Sequence, residues 1–275
     1  MIDRLSGRAI DVSIAVTQQG PRDPTVSKVV LVHGAMDRAK SFLPVVEHLP
    51  DLRVVEYDRR GYGESLPAGT PAVLAQHVDD LLGVMDDEPT TVVAHSFGCV
   101  VAASAAIQHP GRFRGLGLWE PQVPWMEFWP TSVRRGLEAM SAEVDTDALA
   151  ERVYVSMVGE KAWRRLPEEL KVRRRAEGVA FQSDVVIGLS PPFRWEDLTV
   201  PTLFGVGLET WPFAQEAATR LAKSLGADLF TIAGAGHTAH VSHPQQFAEF
   251  VRCSTTLSTA DDTAGGSRRL SKGPD

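Results

Sequence analysis

Residues 90–110 read TTVVAHSFGCVVAASAAIQHP. The first part, TTVVAHS (90–96), is continuous and β-branched. Such a run suits a strand buried on both faces, as in a parallel sheet. The part after it, FGCVVAASAAIQHP, is a small-residue helix stopped by Pro110. AHSFG (94–98) is the joint between them. A serine at a strand–turn–helix joint takes a strained backbone conformation, so the residues two before and two after it must be small. Ala94 and Gly98 satisfy this. Ser96 is then expected to raise its hydroxyl above the sheet, with a helix N-terminus behind it that favours negative charge.

Working outward, the same alternation recurs. KVVLVHG (28–34) and RVVEYD (53–58) read as buried strands, as does FRGLGLWE (113–120). SFLPVVEHL reads as a short helix between the first two. TPAVLAQHVDDLLGVMDD (70–87) repeats apolar residues at helical spacing, with Thr70 and Pro71 as its start. After Val200 come a strand TLFGVG, a helix FAQEAATRLAKSLG, a strand ADLFTIAG and a closing helix HPQQFAEFVRC. The first segments, to about residue 17, read as a hairpin of half-exposed strands. Alternating β and α elements predict an α/β fold with a mostly parallel, doubly wound sheet.

Residues 121–195 interrupt this pattern. They are rich in Trp, Arg and Pro, look helical, and contain no evident buried strand. They are expected to be a helical cap inserted after the strand ending at Glu120, above the sheet edge where such folds bind ligands. The core is then 1–120 and 196–253. The tail, 254–275, has too little apolar surface to pack and is expected to be disordered.

The net charge is −7 with both signs interspersed, which argues against a nucleic-acid partner. Cys99 and Cys253 show no metal spacing and point to a reducing compartment. The N-terminus lacks the apolar block of a signal peptide, and no segment approaches a bilayer span. The expected place is the cytoplasm, with a small-molecule substrate as partner, no nucleic acid, no membrane, no cofactor and no metal. Homodimerisation stays open.

Three further stretches join AHSFG in resembling the α/β-hydrolase family over about residues 8–253. HGA (33–35) resembles its oxyanion loop. DRRGYGES (58–65) resembles the turn after its next strand. GAGHTAHVSHP (234–244) resembles the loop that carries its base. The resemblance implies Ser96 as nucleophile and His237 as the base that takes its proton. It implies an oxyanion hole built from the backbone N–H groups of Ala35 and Phe97. His33 would brace the oxyanion loop. His95 would either touch substrate or pack. Of the two histidines behind the base, His240 and His243, the latter reads as a helix start. His48, His77 and His109 read as structural, and none of the eight histidines shows a spacing such as HExxH.

The third member of the triad departs from the family's common pattern. In PTLFGVGLET (201–210), Thr210 stands where an aspartate is expected, and it cannot carry the charge. Glu209 is adjacent, one residue off. Glu120 offers a second solution, one strand earlier. Some haloalkane dehalogenases, and zearalenone-type lactone hydrolases with a serine nucleophile, look like this. A carboxylate at the end of a buried strand is costly unless something pairs with it. Glu120 is the expected acid, with Glu209 as the alternative.

The inserted segment holds Trp125, Trp129, Trp163 and Trp195 with several Phe and Met residues. Part of this set is expected to be the cap's own core, and Trp125, Met126 and Phe128, close after Glu120, are the candidate substrate contacts. KVRRR (171–175) reads as a solvated helix face. The expected function is hydrolysis of a carboxylic ester or lactone of an apolar or aromatic small molecule, through an acyl-enzyme on Ser96. The alternatives are a C–C bond hydrolase of a diketone-type substrate and a low-turnover ligand receptor.

Overall fold

In a computed structural model, residues 14–257 are described. Seven strands form one sheet: β1 (Val16–Gln19), β2 (Lys28–Val32), β3 (Arg53–Tyr57), β4 (Thr90–His95), β5 (Phe113–Trp119), β6 (Thr202–Gly207) and β7 (Asp228–Ile232). Their spatial order is β1-β3-β2-β4-β5-β6-β7. All neighbours are parallel except β1, which runs antiparallel to β3. The helices are α1 (Leu43–Val46), α2 (Leu74–Met85), α3 (Phe97–Gln108), α4 (Thr131–Ser141), α5 (Thr146–Val158), α6 (Glu160–Arg165), α7 (Glu168–Ala176), α8 (Gly178–Gly188), α9 (Pro212–Leu225), α10 (Ala239–Ser242) and α11 (Pro244–Thr255).

The unbroken apolar runs of the central strands follow from covering both faces of the sheet. Val30, Val32, Val92, Ala94, Leu116 and Leu118 share one core with α2, α3 and α9. Val29, Leu31, Val93, Trp119 and Leu203 turn to the other side, against Phe42, Val45, Phe247 and Phe250. Successive side chains point to opposite faces, so each strand needs apolar residues at every position.

Several boundaries differ from the sequence reading. The helix expected over 70–87 starts at Leu74; Val73 before it is extended, and the N–H of Ala72 bonds instead to Gln76 Oε1. The short helix after β2 is a 3₁₀ turn, Ala39–Phe42, running into α1. The closing helix continues to Thr255, and Ser254 is fully buried, so the ordered chain extends past 253. The rest of the expected tail lies outside the described residues. Of the expected N-terminal hairpin only β1 is described.

Residues 121–201 contain no strand; α4 to α8 lie there, between β5 and β6. Two carboxylates from this stretch reach the DRRGYGES turn. Asp184 of α8 meets Arg59 at 2.6 and 3.1 Å, accepts from Tyr62 Oη at 2.7 Å and faces His77 Nε2 at 3.1 Å. Burial alone would raise this carboxyl, but the charge of Arg59, with His77, holds it well below the usual range. Glu177 accepts from Gly63 N, Arg38 and Arg174. The KVRRR run is therefore not simply a solvated face: Arg173 pairs with Glu64, Arg174 with buried Glu177, and Arg175 with Glu151 and Glu168. His77, read as structural, is part of this buried network. No helix among the described residues is long and apolar enough to cross a membrane.

Candidate active site

Ser96 directly follows β4 and caps α3 with φ 57° and ψ −123°. A non-glycine residue in this region is strained by about 1–3 kcal/mol and persists only where its surroundings enforce it. Here its N–H bonds to Trp119 O at 2.9 Å, and its carbonyl accepts from Cys99 N at 3.0 Å. Two glycines leave room for the turn. A Cβ on Gly98 would come 2.7 Å from the carbonyl oxygens of Val32 and His33, and one on Gly34 would come 2.8 Å from Ser96 Cβ. The 33–35 loop and the elbow thus approach too closely at these two positions for a side chain on either glycine.

Among the described residues, four that are not glycine have positive φ: Met36, Asp86, Ser96 and Glu120. Three of these follow β2, β4 and β5 at the same end of the sheet. Strain clustered at one edge in this way is a mark of functional sites.

Glu120 is fully buried. Its N–H bonds to Gly205 O. Its carboxylate accepts three hydrogen bonds: Gly207 N to Oε1 at 3.0 Å, and Thr210 Oγ1 and His237 Nδ1 to Oε2, each at 2.7 Å. The desolvation of a buried carboxylate is offset when it is fully hydrogen-bonded in this way. Glu209 lies elsewhere. It is exposed, and its N–H is bonded to Ala235 O.

With Nδ1–H donating to Glu120, the neutral ring of His237 carries its lone pair on Nε2, the tautomer a general base needs. His237 and Ser96 are not hydrogen-bonded among the described residues; such contacts often tighten only when substrate is present. The backbone of His237 is held separately. Its carbonyl receives His95 Nε2–H at 3.1 Å and Trp119 Nε1–H at 3.2 Å. His95 and Trp119 are register partners in β4 and β5, one immediately before Ser96 and the other immediately before Glu120. Burial, reinforced by neighbouring His240 and His237, keeps the His95 pKa well below the ordinary imidazole value. Of the two roles open for His95, packing and anchoring is the one its contacts fill.

Ala35 N–H and Phe97 N–H have no protein acceptor among the described residues; Phe97 is in the first turn of α3, where N–H groups lack helical partners. His33 bonds through Nδ1 to Gly34 O at 2.7 Å and accepts Arg59 N–H on Nε2 at 2.8 Å. Burial, with the charge of Arg59, lowers its pKa to about 4, so the ring is neutral near pH 7. Arg59 also donates to the carbonyls of His33 and Gly34. Asp184, Arg59 and the backbone of His33 and Gly34 therefore form one continuous network. A lone aspartate in the apolar run VAFQSDVVIG was the signal that could have found it.

Trp125, Met126 and Phe128 line a cavity of about 1310 Å³ between the start of the inserted segment, residues 191–196 and α9. Neither Ser96, Glu120 nor His237 is among its lining residues, and Arg220 sits over the Phe128 ring at 4.9 Å. Trp129, Trp163 and Trp195 are buried; Trp129 and Trp195 join the core shared with the sheet, against Phe213 and Phe204, and Trp163 packs on Tyr154. The aromatic beside the base is Trp211, half-exposed, its ring 5.0 Å from that of His237. Nothing in its sequence context marked it. His243 precedes α11, in keeping with a helix start, and His48 and His109 are exposed.

Residues 29–250 match the family model described as "Alpha/beta hydrolase family". A pimeloyl-[acyl-carrier protein] methyl ester esterase from Xylella fastidiosa is 29% identical over 85% of this chain and 94% of its own. Lipase LipV from Mycobacterium tuberculosis is 30% identical over 49% of this chain and 50% of its own. Among solved structures, the enol-lactonase from Burkholderia xenovorans LB400 superposes with a TM-score of 0.70 at 20% identity, covering 90% of this chain and 98% of that one.

Proposed function

The chain belongs to the alpha/beta hydrolase family, and from that premise we propose that it is a serine hydrolase cleaving a carboxylic ester or lactone of an apolar small molecule. The observation that carries this reading is the 2.7 Å contact between Glu120 Oε2 and His237 Nδ1, which leaves Nε2 free of the carboxylate, together with the strained elbow at Ser96. His237 takes the Ser96 proton as Oγ attacks the acyl carbon. The developing oxyanion is held by the N–H groups of Ala35 and Phe97. Glu120 stabilises the imidazolium. His237 then returns the proton to the leaving oxygen, and a water activated by the same ring releases the acid from Ser96. An ester is favoured by the relative whose name describes methyl ester cleavage and which covers most of both chains. Trp211 and Leu208, half-exposed apolar residues on the loop after β6, supply a wall suited to an apolar acyl or alcohol group. We read residues 121–195 as the cap over this site.

A fluorophosphonate probe on the folded protein, followed by turnover on esters, lactones and diketones, tests the proposal. The expected result is labelling at Ser96, lost in Ser96→Ala, with turnover of an ester or lactone. An unlabelled Ser96 would favour a ligand receptor, and turnover confined to diketones would favour C–C bond hydrolysis.

A further inference from the structure

Asp37, His95 and His240 come from three separate segments that no sequence spacing relates. The fold brings one donor atom of each within 4.8 Å of the others. His240 Nε2 is 3.1 Å from Asp37 Oδ2, and His95 Nδ1 is 3.9 Å from the same oxygen. The hydrogen bonds of His95 fix its tautomer. Nε2 contacts the carbonyl of His237, which only accepts, so Nε2 carries the hydrogen. Nδ1 of the neutral ring then presents a lone pair. It is buried, has no hydrogen-bond partner, and has the Asp37 carboxylate as its nearest charged neighbour. Two acceptors face each other in a buried space with nothing positive between them. Asp37 Oδ1 is occupied by Arg38 N–H at 2.8 Å, which leaves Oδ2 for this cluster.

We propose that Asp37 Oδ2, His95 Nδ1 and His240 Nε2 form a binding site for a divalent ion of the Zn²⁺ class. Two imidazole nitrogens and one carboxylate suit such ions, with three protein ligands and a water completing a tetrahedron. Mg²⁺ and Ca²⁺ prefer oxygen donors. The bond from His95 Nε2–H to the His237 carbonyl is the kind of outer contact that orients a metal-bound imidazole. Tetrahedral ligands about 2.0–2.1 Å from Zn²⁺ stand roughly 3.3 Å apart, so the Asp37–His95 pair closes by only about half an ångström. His240 moves its proton from Nε2 to Nδ1, which has no partner in the structure. That unpaired N–H weakens the site by roughly tenfold to a hundredfold. Asp37 lies two residues after Ala35, His95 one before Ser96, and His240 three after His237. A bound ion would tie together the three loops that carry the oxyanion donor, the nucleophile and the base.

The test is calorimetric titration of the whole chelator-treated protein with Zn²⁺, Mg²⁺ and Ca²⁺, with Co²⁺ as a spectroscopic probe. The expected result is one Zn²⁺ per chain, no binding of Mg²⁺ or Ca²⁺, a tetrahedral Co²⁺ spectrum, and a thermal midpoint raised by several degrees. Asp37→Asn and His240→Gln should each weaken Zn²⁺ binding at least tenfold, while His237→Gln should bind it as the native protein does. Absence of Zn²⁺ binding to the native protein overturns the proposal. So does binding that survives both ligand variants, or that disappears in His237→Gln. Melting without metal establishes which variants fold; if one ligand variant does not, the other decides. If neither folds, the native and His237→Gln titrations decide.

Discussion

The hydroxyl of Thr210 donates a 2.7 Å hydrogen bond to Oε2 of Glu120, the same oxygen that receives Nδ1–H of His237. Thr210 stands where the family's common pattern places an aspartate. In this chain a carboxylate, Glu120, stands at the neighbouring strand end, and Thr210 is one of its hydrogen-bond donors. β5 and β6 pair in parallel, with Trp119 opposite Gly205, so their ends open onto the same space.

Removing the charge while keeping the shape separates the two carboxylates that the sequence left open. Glu120→Gln should lower kcat by about 10³- to 10⁴-fold, as loss of a triad acid does when the base takes the wrong tautomer. Far-UV circular dichroism should remain native. Glu209→Gln should stay within about twofold of native. Steady-state kinetics on an aryl ester measures both, and the reverse ranking would refute the assignment.

If the two strand ends are equivalent supports for the acid, moving it back should work in part. Thr210→Asp in the Glu120→Gln background should recover at least about tenfold of the lost kcat. Thr210→Asp alone should be poorly active, because two carboxylates would then crowd one histidine. A double variant no better than Glu120→Gln would show that the ends are not interchangeable.

Asp184 is the buried counter-charge of Arg59, which holds the carbonyls of the oxyanion loop. Breaking a buried pair from one side costs about 3–5 kcal/mol. Asp184→Asn should therefore lower Tm by roughly 10 °C and reduce kcat in the protein that remains folded. Differential scanning calorimetry with kinetics well below the melt separates the two effects.

Glu56 of β3 is buried, with one carboxylate oxygen held by Gln19 and the other unpartnered. Burial, reinforced by Asp58, raises its pKa to about 7 from an ordinary value of 4.5. The folded state then binds more protons than the unfolded state between these values, so this group lowers stability as pH rises from about 4.5 to 7. Glu56→Gln should gain about 1–3 kcal/mol at pH 8 and little at pH 4. Urea melts at the two pH values measure it; an equal gain at both would show that the carboxyl does not titrate as argued.

Continuous β-branched runs, helical spacing and the small residues around Ser96 were enough to read the parallel sheet, because burial on both faces and a strained turn constrain residue type locally. His237, Ala35 and Phe97 were named differently, from stretches that resemble those of a family, and their roles belong to the proposed function. Tertiary structure decided what depends on contacts between distant segments. It placed Glu120 rather than Glu209 against His237, because the end of β5 turns its side chain inward while Glu209 sits exposed on a loop. It brought His95 and Trp119 together on one carbonyl through strand register. It placed Trp125, Met126 and Phe128 along one cavity with α9, and the Trp211 ring 5.0 Å from that of His237, since which aromatic meets which surface depends on how distant segments pack. Hydrophobicity along the chain carries no record of that packing.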